Sequence, residues 1–366
     1  MRRGLISWSR EEVPEATLEA RLRKLQLGLR ADNFDAVLAY TSLAKLSAVA
    51  YLTHFVPYDS EAMLAVFPTG APILLTSLTE QAHPQIRDGS HLDHAGELGE
   101  VRTAPKLGLA AAGLLSERVA AAKYIGVIDL PQLPHSVVEP LADAGWRDRL
   151  VDATGLFALV RQPADAAELT VARRALAIAE KAAAAIAPDA RSSAAVFAAV
   201  DRCARSEGTD EVIARIAPDL TQHGALERIE GEIALGASYA LELSLAYKSV
   251  WVRVMHTRSG PLAKVHGAAD RWFQSAAGTI TETEVGTRFA NTPGCPGELL
   301  NWRAETCISG EPLTPIAGTG LAPRNLIPHG TLTRVSAALK VPGGYWHGRR
   351  LVLIARANEV APTITA

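Results

Sequence analysis

Residues 239–257 read YALELSLAYKSVWVRVMHT. Leu241, Leu243 and Leu245 alternate with Glu242, Ser244 and Ala246; after a short polar break, Val250, Val252 and Val254 alternate with Trp251, Arg253 and Met255. Period-two alternation on both sides of a break predicts two paired strands, each burying one face. A merely structural hairpin does not need a carboxylate at 242 and a guanidinium at 253. By pattern alone, Glu242 is the wet side of a half-exposed sheet. Arg253 is then a surface residue whose stem lies across Trp251 and Met255 while its head stays in water.

Outward from this hairpin, the second half of the chain carries the strand-like runs VIARI (212–216), TLTRVSAALKV (331–341) and RRLVLIARA (349–357), with a helix near Pro261–Ala277. Upstream, LVRQPADAAE (159–168) marks a boundary: Pro163 breaks the chain, and Asp165 with Glu168 forms a helix start of the capping-box type. Leu169, Ala172, Leu176, Ala179, Ala183 and Ile186 then recur at helical spacing until Pro188, and Ser192–Ser206 supplies a second helix. Helices on a mostly antiparallel sheet make an α+β domain over 158–366.

The first half alternates strands and helices. AVLAY (36–40) and IGVID (125–129) are apolar strands, and AMLAVF and PILLTS flank the turn Pro68-Thr69-Gly70-Ala71 as a hairpin. LGLAAAGLLSERVAAAKY (107–124) and LPHSVVEPLADAG (133–145) read as helices. Residues 1–157 are therefore expected to form an α/β domain.

Composition narrows the function. The 366 residues are 48 % hydrophobic and 21 % charged with a formal net charge of −2, which suits two folded domains and gives no global field for nucleic acid or an anionic membrane. MRRGLISWSREEVPEA lacks a signal-peptide core, and Ser116, Glu117 and Arg118 break the most apolar stretch, so no membrane span is expected. Cys203, Cys295 and Cys307 form no CxxC and fit reduced thiols in a cytoplasmic protein. GxxxxGK[ST], a strand-following GxGxxG, HExxH and GxSxG are all absent.

The order of domains and the punctuation of the chain resemble the pita-bread superfamily, which holds prolidase, aminopeptidase P, methionine aminopeptidase and creatinase. AYLTHF (50–55) followed by AMLAVFPTGAPILLT is similar to that family's N-terminal turn and hairpin. LVRQPADAAELTVARRALAIAEKA resembles the segment that opens its catalytic domain. GASYALELSLAYKSVWVRVMHT and LIPHGTLTRVSAALKVPGGYWHGRRLVLI resemble its two ligand-bearing regions. The resemblance implies a two-domain homodimer in which His54 to Tyr58 of one chain shields the cavity of the other.

In peptidase members two Asp, one His and two Glu hold two divalent ions. The resemblance places those positions at Glu242, Arg253, Arg303, Ser336 and Arg349, with Gly236 and Tyr247 keeping register and Glu311-Pro312 matching the family's Glu-Pro. Divalent ions need lone-pair donors, whereas arginine offers only N–H donors and stays protonated. No metal and no other cofactor is therefore expected. Guanidinium forks can instead clamp a carboxylate or stabilise an oxyanion. The expected catalytic set is Glu242, Arg253, Arg303 and Arg349, with His223 matching the creatinase-like acid/base by position. Tyr247, His256 and Glu311 are expected to touch substrate.

Each residue also has a plainer reading: Arg303 and Arg349 as structural ion pairs with Glu305 or Glu311, Tyr247 as a hairpin-turn residue, the histidines as surface or packing groups. The expected function is a metal-independent hydrolase or lyase acting on a C–N bond of a small carboxylate-bearing amide, amidine or amino-acid derivative. The alternative is a non-catalytic pita-bread protein that binds a ligand or protein partner; a third reading is a metallo-aminopeptidase. A small-molecule substrate is expected as partner, with no nucleic acid or membrane.

Overall fold

The computed structural model describes residues 9–42, 48–57, 60–82, 99–282, 289, 291–306, 314–321, 327–357 and 359–366. Two compact units divide the chain, the first running to Arg161 and the second beginning at Gln162.

The first unit contains α1 (Glu15–Ala31), β1 (Ala36–Ser42), α2 (Ala48–Thr53), β2 (Glu61–Val66), β3 (Ile73–Thr76), β4 (Glu100–Thr103), α3 (Leu107–Val119), β5 (Ile125–Ile128), α4 (His135–Asp143), β6 (Leu150–Asp152) and α5 (Thr154–Val160). Its six-stranded mixed sheet has the order β4-β3-β2-β1-β5-β6. β2 and β3 pair antiparallel, as the turn at 68–71 predicts, while β1 runs parallel to β5. Strands so apolar must bury both faces. Leu38, Met63, Leu75 and Val127 pack with Leu115 and Leu141 of α3 and α4. Val37, Leu64, Leu74 and Ile128 pack on the other side with Leu25, Leu52 and Phe157 of α1, α2 and α5.

The second unit opens with α6 (Ala166–Ala184), whose N-cap Asp165 accepts a hydrogen bond from the Glu168 amide at 2.8 Å, and continues with α7 (Ser193–Ser206). β7 (Glu211–Ala217), β8 (Tyr239–Tyr247) and β9 (Val250–Arg258) form an antiparallel sheet in that order. Lys248 and Ser249 turn the β8–β9 hairpin with φ of 46° and 67°, both left-handed, as a two-residue turn between twisted strands requires. After α8 (Ala263–Gly278), strands β10 (Glu298–Thr306), β11 (Thr314–Gly318), β12 (Leu332–Val341) and β13 (Gly344–Leu353) form a second antiparallel sheet, ordered β11-β10-β12-β13. One face of it packs on α8 through Trp272, Phe273, Phe289, Trp302, Val335 and Trp346.

Two features differ from the sequence expectation. β8 is buried on both faces rather than one, because it is the central strand of its sheet; Glu242 is thus an interior carboxylate, only 2 % exposed. β10 and β11 were not anticipated as strands. The alternation of Trp302, Ala304 and Thr306 along β10 carried the signal, although a register shift between Leu299 and Asn301 interrupts it.

The loop after β7 is pinned to the start of β13. Tyr345 donates its amide to the Leu220 carbonyl at 2.9 Å, and a Cβ on Gly344 would stand 2.2 Å from that same oxygen. Gly344→Ala should therefore lower stability by about 1–3 kcal/mol, measured by urea denaturation. An unchanged midpoint would show that the contact is easily relaxed.

Candidate functional site

The register of the two sheets decides which charges meet. Arg215 lies directly opposite Glu242, and Ser244 directly opposite Arg253. In the other sheet Arg303, Ser336 and Arg349 share one row, and Glu305 lies opposite Arg334 in the next. Directly paired residues point to the same side of a sheet. These two charged faces meet where β13 approaches β9.

At the centre is the Glu242 carboxylate. Its Oε2 accepts from Arg349 Nη2 at 2.6 Å and Nε at 2.7 Å. Arg253 Nε stands 3.9 Å from the same oxygen, and Arg215 Nη1 is 3.6 Å from Oε1. Arg349 also donates to the Gly348 carbonyl at 2.7 Å. Arg253 donates to Glu305 Oε2 at 2.6 Å and to Ser244 Oγ at 2.9 Å. Burial pushes the Glu242 carboxyl up, but the charges of Arg349, Arg253 and Arg215 and the Arg349 hydrogen bond outweigh it and hold it below the ordinary range. Burial lowers Arg349, which the Glu242 carboxylate opposes; a guanidinium remains a cation throughout.

His347, on β13 two residues before Arg349, is 6 % exposed. Its Nε2 lies 2.7 Å from the Gly224 carbonyl. A carbonyl only accepts, so Nε2 carries the proton and Nδ1 is the buried lone pair, which has no hydrogen-bond partner among the described residues. Burial and then the charge of Arg349 push this imidazole down to about 4, so it is neutral at physiological pH. His266, by contrast, is satisfied at both nitrogens, by Ser259 Oγ and the Tyr345 carbonyl.

Glu242, Arg253 and Arg349 are thus brought together. Arg303 is exposed on the same face as Arg349, two strands away, roughly 10 Å. His223 is exposed on the loop whose Gly224 carbonyl meets His347. Tyr247 lies at the far end of β8, roughly 17 Å along the strand from Glu242 and of opposite facing. His256, three residues from Arg253, also faces the other side of its sheet. Glu311 and Tyr58 lie outside the described residues. Sequence reasoning missed Arg215 and His347 as members and took Glu305 only as a partner for Arg303 or Arg349. Arg215 was legible once β7 is paired with β8, because it falls opposite Glu242.

The solved structures that this chain superimposes on include the dipeptidase PepE from Mycobacterium ulcerans (16 % identity, 96 % of each chain covered, TM-score 0.65). The prolidase from Pyrococcus horikoshii OT3 matches at 13 % identity over 94 % of this chain and 98 % of that one, with a TM-score of 0.70. The X-Pro aminopeptidase from Thermotoga maritima MSB8 matches at 13 % identity over 94 % and 97 %, with a TM-score of 0.68. The chain has the pita-bread fold. No protein-family profile and no curated protein sequence matches it.

The metal pair that this fold implies does not fit the pita-bread centre present here. Of the five implied positions, three are arginines and one is Ser336, and Glu242 is occupied by guanidinium N–H groups. Among the described residues no group of three His, Cys, Asp or Glu side chains is placed to hold an ion. Guanidinium groups repel a cation and supply no lone pair.

Two outcomes follow. Glu242→Gln leaves Arg349 buried without its counter-charge and should cost about 3–5 kcal/mol in denaturant unfolding, whereas the double variant Glu242→Leu/Arg349→Met should recover most of it. A single variant as stable as the parent would show that the pair is not locked. The second outcome concerns pH. Because the folded His347 is depressed from 6.5 to about 4, the unfolded chain takes up a proton that the folded chain refuses between those values. Stability should fall as pH drops through that window, by at most about 1.4 kcal/mol per pH unit from this group. His256 and His266, also lowered by burial, contribute with the same sign. Glu242 acts lower, its contribution lost as pH falls below the ordinary 4.5. His347→Gln should reduce the slope of melting temperature between pH 6.5 and 4, leaving the share of His256 and His266 and the loss at more acid pH; an unchanged slope would exclude the assignment.

Proposed function

We propose that this pita-bread protein works without metal and binds a small carboxylate-bearing molecule on the face formed by Glu242, Arg253, Arg303 and Arg349. The observation that carries this reading is the Glu242 carboxylate flanked by Arg349, Arg215 and Arg253 at 2.6, 3.6 and 3.9 Å. The inner arginines are neutralised by Glu242 and Glu305, and this core holds the two sheets in register. Arg303 is exposed on the same face as Arg349, while Arg215, half-exposed, is held by Glu242 and by the Leu226 carbonyl at 2.7 Å, which leaves Arg303 as the guanidinium open to a ligand. A fork of that kind grips a carboxylate in two hydrogen bonds. The resemblance extends the reading to a homodimer in the cytoplasm.

A second reading, hydrolysis or elimination at a C–N bond of the bound amide or amidine, is favoured by one observation: the free Nδ1 lone pair of His347 beside Arg349 and Glu242. In hydrolysis that nitrogen takes a proton from water as the oxygen adds to the carbon. It returns the proton to the departing nitrogen, and an arginine holds the oxyanion. Glu242 is a poor base, since the surrounding arginines stabilise its carboxylate in the ionised form.

A panel of acetate, succinate, N-acetylglycine and guanidinoacetate tests both readings. A carboxylate that binds the native state should raise the melting temperature, and Arg303→Ala should shrink that rise while leaving the unliganded protein folded. Release of amine from N-acetylglycine or guanidinoacetate, lost in His347→Gln, would favour the hydrolase. Two equivalents of tightly bound divalent metal in the purified protein would overturn both.

A further inference from the structure

On the opposite side of the same strands lies a second arginine with a different status. Along β9, Val254 and His256 alternate with Arg253 and Met255. Along β13, Arg350 alternates with Arg349 and Leu351 and lies opposite Val335, whose face packs on α8. A cavity of about 450 Å³ opens there. It is bounded by α6, β9, β13 and the segment Thr363–Thr365. That segment is held as a wall: Ile364 donates to the Leu351 carbonyl at 2.8 Å and Leu353 to the Pro362 carbonyl at 3.0 Å.

The cavity has an apolar body and one unengaged cation. Leu176, Val254 and Ile364 supply the apolar surface. Arg253 and Arg349 border it, but their guanidinium groups are taken by Glu305 and Glu242. Arg350 makes no ion pair with any described residue, and its Nε is buried without a hydrogen-bond partner among the described residues. A buried donor left unmade is costly, so a guanidinium in this state is set to receive an acceptor from outside the chain. Glu180, at the rim on α6, is exposed and likewise pairs with no described residue, so it does not neutralise Arg350. The volume lies within the range of small-molecule sites, which combine apolar walls with a few placed polar groups.

We propose that this cavity is a binding site for a small organic anion with an apolar tail, its carboxylate or phosphate gripped by Arg350. The cavity adjoins the face proposed above through Arg253 and Arg349, but its head-group residue is Arg350 and it does not rest on that reading. Arg350 fixes the head group, and the surface between α6 and Ile364 takes the tail.

The probes are hexanoate and hexyl phosphate, with acetate and inorganic phosphate as tail-less controls, followed by isothermal titration and thermal shift on the full chain. The tailed probes should bind at least tenfold more tightly than their controls, and the better of the two names the head group. Arg350→Ala should weaken them at least tenfold, and Arg350→Lys should retain part of the affinity. Ala184→Trp, at an exposed position of α6 that borders the cavity, should block the tail without disturbing the core and serves if Arg350→Ala does not fold. Arg303→Ala, on the other face, should leave the part of the tailed probes' affinity that Arg350→Ala removes unchanged, whatever it does to acetate. Absence of binding by either tailed probe overturns the proposal, as does binding that survives both Arg350→Ala and Ala184→Trp. Binding lost in Arg303→Ala but not in Arg350→Ala assigns the anion to the opposite face and overturns this site alone.

Discussion

The second unit is organised around one contact, the Glu242 carboxylate on β8 meeting the Arg349 guanidinium on β13 at 2.6 Å. Both groups are largely buried, and each alone would be an unpaired charge in a poor solvent for charge. Neither strand can shift by a residue without turning one of them to the other side. The pair therefore fixes the register between two sheets that no backbone ladder in the described residues joins. Glu305 and Arg253 repeat the arrangement one step away, so the centre is a network rather than a single bond.

Such a network holds together, from within the chain, a fold shared with solved prolidase, dipeptidase and aminopeptidase structures at 13–16 % identity. Wherever carboxylates converge from several strands, something positive must be present in the folded state. Arginines on the opposing strands meet that demand from within the chain, because each brings its charge on a covalent tether. The trade is chemical: a guanidinium neutralises charge and can hydrogen-bond a developing oxyanion, but it cannot coordinate a water and lower its pKa as a metal ion can. On the hydrolase reading proposed above, the chemistry is proton transfer and hydrogen bonding, and the lone pair of His347 is the group that would carry the proton.

The strand pattern around Glu242 was legible because alternation is local. So were the capping of α6 by Asp165, the β2–β3 hairpin and the long apolar rows of β12, each set by residues close in the chain. Burial on both faces of β8 was not legible, since it depends on which strands flank it, and Leu-Glu-Leu reads the same at an edge or a centre. The partner of Arg253 was misplaced for a similar reason: Glu305 lies 52 residues away, and only the register of β10 against β12 brings it there. His347 carries no mark in sequence, because its character comes from the Gly224 carbonyl on a distant loop. Arg350 sits beside Arg349 in a plain Arg-Arg pair, and only strand alternation reveals that the two serve opposite sides.

The pairing of Pro362, Thr363 and Ile364 with the rim of β13 has a consequence for solubility. β13 ends its sheet, and a bare terminal strand as apolar as Leu351-Val352-Leu353 offers amide and carbonyl groups to any neighbouring molecule. With Leu351 and Leu353 already paired to Ile364 and Pro362, that apolar stretch of the rim is closed to strand pairing with a second copy. The protein carries there its own guard against stacking into aggregates.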